Sequence, residues 1–129
     1  MDRLFFDTNV VLDVLEKRPP WFPEAFSCFA RADTGKCAGA ITALTLSDIA
    51  YIQRGTSQES LLLAFHRLRS FLEIAGLDRD TVDRALEYGL IDIEDGFQLA
   101  AAHGWEATHL LTRNTKDFPK DTGIQILTP

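Results

Sequence analysis

Leu4-Phe5-Phe6 is a short apolar run that passes, with only Asp7 between, into Thr8-Asn9-Val10-Val11-Leu12-Asp13-Val14-Leu15. The second stretch carries apolar residues at positions 10, 11, 14 and 15, the spacing of one helix face. The chain therefore opens as a strand feeding a helix. In a parallel sheet Asp7 falls at the carboxyl end of that strand, where strand tips and helix N-termini open into a crevice that gathers ligands.

The same alternation continues. Pro19, Pro20 and Pro23 break the first helix and bracket Trp21-Phe22; Glu24 to Ala32 then predicts a helix with Ala25, Phe26, Phe29 and Ala30 at helical spacing, ending near Gly35. Ala38 to Thr42 predicts a strand of small residues, and Ala43 to Arg54 a helix closed by Gly55 and carrying Asp48. Thr56-x-x-Glu59 reads as a capping box for a helix with Leu61, Phe65, Leu68 and Leu72 on one face. Glu73 to Leu77 predicts a strand, and Asp80 a cap for a helix ending at Tyr88-Gly89. An acid-rich turn, Leu90 to Asp95, opens a helix to His103 with Gly104 just past its end, and Thr108 to Leu111 and Ile124 to Leu127 supply the last strands. Short connections and no repeat or linker make this one α/β domain over residues 1–129, a parallel central sheet with helices on both faces. At 129 residues and 46% hydrophobic, the chain can bury one core and not two.

Three acids sit beside apolar segments: Asp7 after Leu4-Phe5-Phe6, Asp48 in Thr45-Leu46-Ser47-Asp48-Ile49, and Asp95 at the head of Asp95-Gly96-Phe97-Gln98-Leu99-Ala100-Ala101. Carboxylates next to core residues lose hydration, and several together repel, so most would protonate unless a divalent cation held them ionised. An all-oxygen set of this kind suits Mg²⁺ or Mn²⁺. His66, His103 and His109 bear no spacing relation to the acids, which argues against a zinc site, and no Cys-His or Ser-His pair beside them indicates a covalent nucleophile. Each acid has a blander reading. Asp95, with Asp92 and Glu94, would also stabilise a helix N-terminus, and Asp48 would also serve as a solvated helix residue; Asp7 is the hardest to explain that way. Asp13 and Glu16 read as solvated helix charges, and Cys28 and Cys37 as reduced thiols.

The net charge of −6 argues against a broad nonspecific nucleic-acid surface, since phosphate contacts come from clustered Lys and Arg. It leaves a nuclease open. Bound cation would neutralise several acids, and Arg54, Arg67, Arg69, Arg113 and Lys116 could guide a phosphate backbone, although each alone reads as a surface salt-bridging charge. No apolar run nears the roughly 20 residues of a membrane helix, and no cleavable leader is evident, so a cytoplasmic protein is expected.

Phe6-Asp7-Thr8-Asn9-Val10-Val11-Leu12-Asp13 resembles the opening strand and turn of PIN-domain ribonucleases. Asp95 to Ala102 looks like the family helix that begins with a metal-binding Asp, and Leu110-Leu111-Thr112-Arg113-Asn114-Thr115-Lys116-Asp117-Phe118 like its closing strand and turn. The subgroup most resembled is the VapC-like toxins of type II toxin-antitoxin pairs. The resemblance implies a Mg²⁺- or Mn²⁺-dependent ribonuclease that cuts single-stranded or looped RNA to a 5′-phosphate and a 3′-hydroxyl. It makes Asp7, Asp48 and Asp95 the catalytic, metal-binding acids, with Asn114 and Asp117 as further ligands and Asn9 and Thr112 as donors orienting the carboxylates. It also implies a small VapB-like antitoxin partner and a homodimer, to which Trp21-Phe22 and Tyr51-Ile52 would add apolar area. Two positions depart from the family pattern: Asp48 stands where Glu is common, and Asn114 takes a fourth acidic position, with Asp117 three residues on. Two rival readings stand beside this one. A catalytically inactive PIN-fold binding module would keep the fold alone; a receiver-type signalling domain would need an adjacent acid pair near the first strand and a Lys ending the last, and neither is present.

Overall fold

Successive side chains of a strand point to opposite faces, and strand β1 (Arg3–Phe6) places apolar groups on both. In the computed structural model, which describes residues 1–129, Leu4 and Phe6 enter one apolar cluster and Phe5 enters another. Ile41 and Ala40 of β2 (Ala38–Thr42) divide in the same way, as do Leu111 and Leu110 of β4 (His109–Leu111). A sheet that is apolar on both faces has to be covered on both. Helices α1 (Thr8–Leu15), α2 (Phe22–Asp33), α3 (Ala43–Ile52) and α4 (Gln58–Arg69) cover the first face through Val10, Val11, Phe29, Ile49, Leu61 and Leu68. Phe29 anchors that layer, meeting Phe6 edge-on at 4.7 Å and Phe71 at 5.6 Å.

The other face is covered by α6 (Ile93–Gly104) through Leu99, Ala101 and Ala102, with α5 (Arg79–Tyr88) packed against it. Gly96 permits that close approach, since a Cβ there would stand 3.3 Å from the Ala85 carbonyl oxygen. With β3 (Glu73–Ala75) and β5 (Gln125–Leu127), the sheet runs β3-β2-β1-β4-β5, every pair parallel. The chain leaves β1 toward β2 and later returns to its other side as β4, so a crevice opens at the carboxyl end between β1 and β4. The receiver reading fails here, because that fold runs 2-1-3-4-5.

Most differences from the sequence expectations lie at element ends. Helix α2 starts at Phe22 rather than at Glu24, so Pro23 sits in its first turn, where its missing N–H costs nothing, and Phe26, expected at helical spacing with Ala25 and Phe29, is 52% exposed. The α4 cap is Ser57, whose Oγ accepts from the Ser60 N–H at 3.1 Å, so the Thr56–Glu59 box does not form. Asp78 rather than Asp80 caps α5, accepting from the Thr81 N–H. Helix α6 starts at Ile93 behind the cap Asp92, with Asp95 inside the first turn, and Gly104 remains helical while Glu106 takes the left-handed turn at φ 62°. At α4 and α5 the side chain that reaches the free N–H belongs to a neighbour of the expected cap. Strand β3 ends at Ala75, two residues short of Leu77, and α3 ends at Ile52 rather than Arg54. No helix is long and apolar enough to cross a membrane.

Candidate functional site

Asp7 follows β1 directly. Its backbone N–H donates to the Leu111 carbonyl at 3.0 Å, extending the ladder by one residue, and its side chain caps α1 by accepting from the Thr8 N–H at 2.8 Å. The carboxylate is 7% exposed. Burial of that kind demands donors, and two segments distant in sequence supply them: Thr112 Oγ1 donates to Asp7 Oδ2 at 2.8 Å, and Gln98 Nε2 to Oδ1 at 3.2 Å. Thr112 stands just past β4, beside Asp7 at the crevice that the strand order creates.

Gln98 ties the site together, and the sequence reading passed over it. Its Nε2 also lies 3.2 Å from Thr8 Oγ1 and 3.1 Å from Thr45 Oγ1, while its Oε1 accepts from Thr42 Oγ1 at 3.1 Å. Two N–H bonds are thus shared among three oxygens. Thr42, Thr45 and Thr112 are fully buried, so the acid rests on a buried polar layer joining β1, β2, α3, α6 and the end of β4. One signal could have revealed it: Gln98 is the one long polar side chain in Phe97-Gln98-Leu99-Ala100-Ala101-Ala102, one helical turn after Asp95.

Asp7, Asp48 and Asp95 all line one groove of ≈ 690 Å³, with Thr8, Ser47, Glu94 and Gln98, and with Leu44, Tyr51, Ile52 and Phe97 as its apolar part. Asp48 comes from the middle of α3 and Asp95 from the first turn of α6, whose N-terminal end favours negative charge. Burial and, after it, the charge of Asp7 raise the Asp48 carboxyl above the usual carboxylate range. Asp95 is affected more. Burial first, then Asp92, Asp7, Asp117 and Glu94, push it up to about 7. Its Oδ2 is buried with no hydrogen-bond partner.

The acids share the groove without closing into a ready-made cage: no three Asp, Glu, His or Cys side chains converge closely enough to hold an ion by themselves. The donor chemistry still fits a hard cation. Asp48 and Asp95, whose proton affinity is raised first by burial and then by neighbouring acids, and Asp95 with an orphaned oxygen, are groups that an added positive charge would relieve. Asn114 and Asp117 are not on the groove wall, though Asp117 is near enough to bear on Asp95. The Asn114 N–H donates to Thr112 Oγ1 at 3.1 Å. Asn9, expected to orient a carboxylate as a donor, instead accepts from the Arg113 N–H through Oδ1 at 3.4 Å, because α1 turns its side chain toward the loop after β4.

Asp13 is not a solvated charge. It is 1% exposed and lies 2.8 Å from Arg113 Nε and 3.9 Å from Arg18, and Arg113 itself lies over the Trp21 ring at 4.1 Å. Burial still outweighs these cations and raises its carboxyl above the usual range. The pair clamps α1 to the segment carrying Thr112. Of the other basic candidates, Arg67 makes a surface pair with Asp33, Arg69 holds the Leu72 carbonyl, and Arg54 lies over Tyr51. Cys28 and Cys37 are free thiols.

Solved structures with the same fold include toxin-antitoxin assemblies. VapBC2 from Rickettsia felis, bound to a promoter DNA fragment, aligns at TM-score 0.71 and 17% identity over 96% of each chain. VapBC-1 from nontypeable Haemophilus influenzae aligns at 0.72 and 17% over 98% of this chain and 97% of that one. A toxin-antitoxin complex from Klebsiella pneumoniae aligns at 0.69 and 25% over 94% of each. Among curated protein sequences none matches. The PIN-domain family profile matches residues 3–116, nearly the whole chain, from β1 to the turn after β4: the chain belongs to the PIN-domain family.

Proposed function

We propose that this PIN domain is a Mg²⁺- or Mn²⁺-dependent ribonuclease and the toxin member of a VapBC-type pair. The observation that carries the reading is the meeting of Asp7, Asp48 and Asp95 in one groove, with Asp95 poised at about 7. Asp7, Asp48 and Asp95 would hold the cation, with Asp117 and Asn114 at its margin. When bound, the ion supplies Lewis acidity, making a water more acidic and offsetting charge on the phosphate. The chain's own residues do the rest. Thr112, Gln98 and the Thr8 N–H fix the Asp7 carboxylate in one orientation, so no reorganisation is needed when substrate arrives. Asp95 Oδ2, without a donor, can hold a proton at neutral pH and give it up when positive charge comes beside it. Water attacking phosphorus in line would leave a 5′-phosphate and a 3′-hydroxyl.

The partner proposed is a small VapB-like antitoxin, supported by the toxin-antitoxin assemblies that share this fold. The decisive experiment is RNA cleavage with Mn²⁺ or Mg²⁺ against a chelator control, with Asp7→Asn as the blank. Cleavage that needs both the ion and Asp7 supports the reading; cleavage surviving in Asp7→Asn, or none of any RNA tested, overturns it. The second outcome would favour an inactive binding module, a reading that rests on Asn114 in an acidic position and on the absence of a closed three-carboxylate cage.

A further inference from the structure

The groove presents four acids, Asp7, Asp48, Glu94 and Asp95, and no basic residue. Such a wall gives a phosphate backbone little attraction beyond what a cation provides, so affinity for RNA has to come from other contacts. The groove's apolar part offers one. Tyr51 lies on α3 one turn past Asp48, with side chains at this spacing about 5–6 Å apart at Cβ. It is 68% exposed, with Ile52 beside it at 48%. Arg54 lies over the Tyr51 ring, its guanidinium carbon 4.3 Å from the centroid, and is held there by donating from Nη1 to the Tyr51 carbonyl at 2.9 Å.

We infer that Tyr51 and Arg54 form a nucleobase subsite, where a base flanking the cleaved bond stacks on the face of the tyrosine ring opposite Arg54 and the Arg54 guanidinium meets the adjoining phosphate. This deepens the ribonuclease reading and rests on it for the position of the cleaved bond. An aromatic ring is sequence-tolerant because every base has a π-face, and a base can reach it only when unstacked from a duplex. The preference for unpaired RNA would then reside in this pair. Tyr51 and Ile52 were also expected to serve a homodimer. A contact between copies is the competing use of these two side chains, and the oligomeric state of the variant decides between them.

The test uses a short single-stranded oligoribonucleotide, the same strand with an abasic nucleotide at either side of the cleaved bond, and the same sequence held in a duplex. Binding is measured by fluorescence anisotropy in chelator on Asp7→Asn protein, and cleavage in Mn²⁺ on the protein with Asp7 intact. Tyr51→Ala should weaken single-strand binding about 5- to 150-fold, the equivalent of about 1–3 kcal/mol of stacking. Tyr51→Trp should bind within about threefold of the parent, duplex binding should not change, and an abasic nucleotide should cost the parent affinity but cost Tyr51→Ala nothing more. Arg54→Gln should lower the salt dependence by about one phosphate contact. Equal single-strand affinity in Tyr51→Ala, additive loss from the abasic nucleotide, or a lower mass for Tyr51→Ala in light scattering would overturn the subsite, the last by making Tyr51 a contact between copies. Binding that depends on Tyr51 without cleavage in Mn²⁺ would sink the nuclease and leave the subsite standing.

Discussion

Replacing Asp95 by Asn should stabilise the metal-free protein, and by an amount that depends on pH in a defined way. The folded environment raises this carboxyl from 3.8 to about 7. A raised carboxyl is costly once ionised. The folded state keeps the proton between pH 4 and 7 while the unfolded chain has lost it, so this group makes stability fall as pH climbs through that window and level off above it. At about 1.36 kcal/mol per unit the full interval gives a ceiling of about 4 kcal/mol. Asp95 is only partly buried, so solvent screening brings the expected gain to about 1–2 kcal/mol, or roughly 4–8 °C in Tm for a chain of this size. The assay is thermal unfolding in chelator from pH 4 to 8 for the two proteins. The difference should vanish near pH 4 and be largest near pH 8. Mn²⁺ should raise the Tm of the parent and not of Asp95→Asn, the stabilisation being about 2.7 kcal/mol at 100 times Kd. Equal Tm at pH 8 in chelator, or a less stable Asp95→Asn, would refute the claim that the neighbouring acids and burial strain this carboxylate.

Further outcomes follow from the polar layer, the buried pair and the shortened acid. Gln98→Leu should cost about 2–4 kcal/mol by urea unfolding, since it strips donors from Asp7, Thr8 and Thr45 and the acceptor from Thr42, and it should lower RNA cleavage as well. Asp13→Ala should cost about 3 kcal/mol, toward the lower end for a broken buried pair because Arg113 keeps 23% exposure, whereas the double change Asp13→Leu with Arg113→Met should recover most of it. In a Mn²⁺ titration of cleavage, Asp48→Ala and Asp48→Asn should both demand more metal, and Asp48→Glu should retain activity; unchanged cleavage in Asp48→Ala would remove this residue from the site.

The order of elements was readable because both periodicities are strong: Leu4-Phe5-Phe6 can only be a doubly buried strand once Val10, Val11, Val14 and Leu15 follow at helical spacing. Asp7 was readable for the same reason, as an acid with apolar residues on either side and no turn to serve. What stayed hidden has a common cause. Gln98, Thr42 and Thr45 matter through partners 53 to 91 residues distant, and a polar residue among alanines looks alike whether it faces water or a buried carboxylate. Asp13 reads as a solvated charge because the helical period sets it across the helix from Val11, away from the apolar stripe, and only the arrival of Arg113 from the segment after β4 makes its burial tolerable. The caps missed at Ser57 and Asp78 show that several adjacent polar residues compete for one N–H, a contest decided by local angles.

The hydrogen bond from Thr112 to Asp7 spans 105 residues of a 129-residue chain. Until β4 docks beside β1, the first acid has neither its threonine donor nor the strand that completes its crevice. Every acid of the groove lies between Asp7 and Asp95, whereas the hydroxyl that orients the first of them comes from beyond β4, so a copy cut between Gln98 and Thr112 would keep the acids and lose the part that aims them.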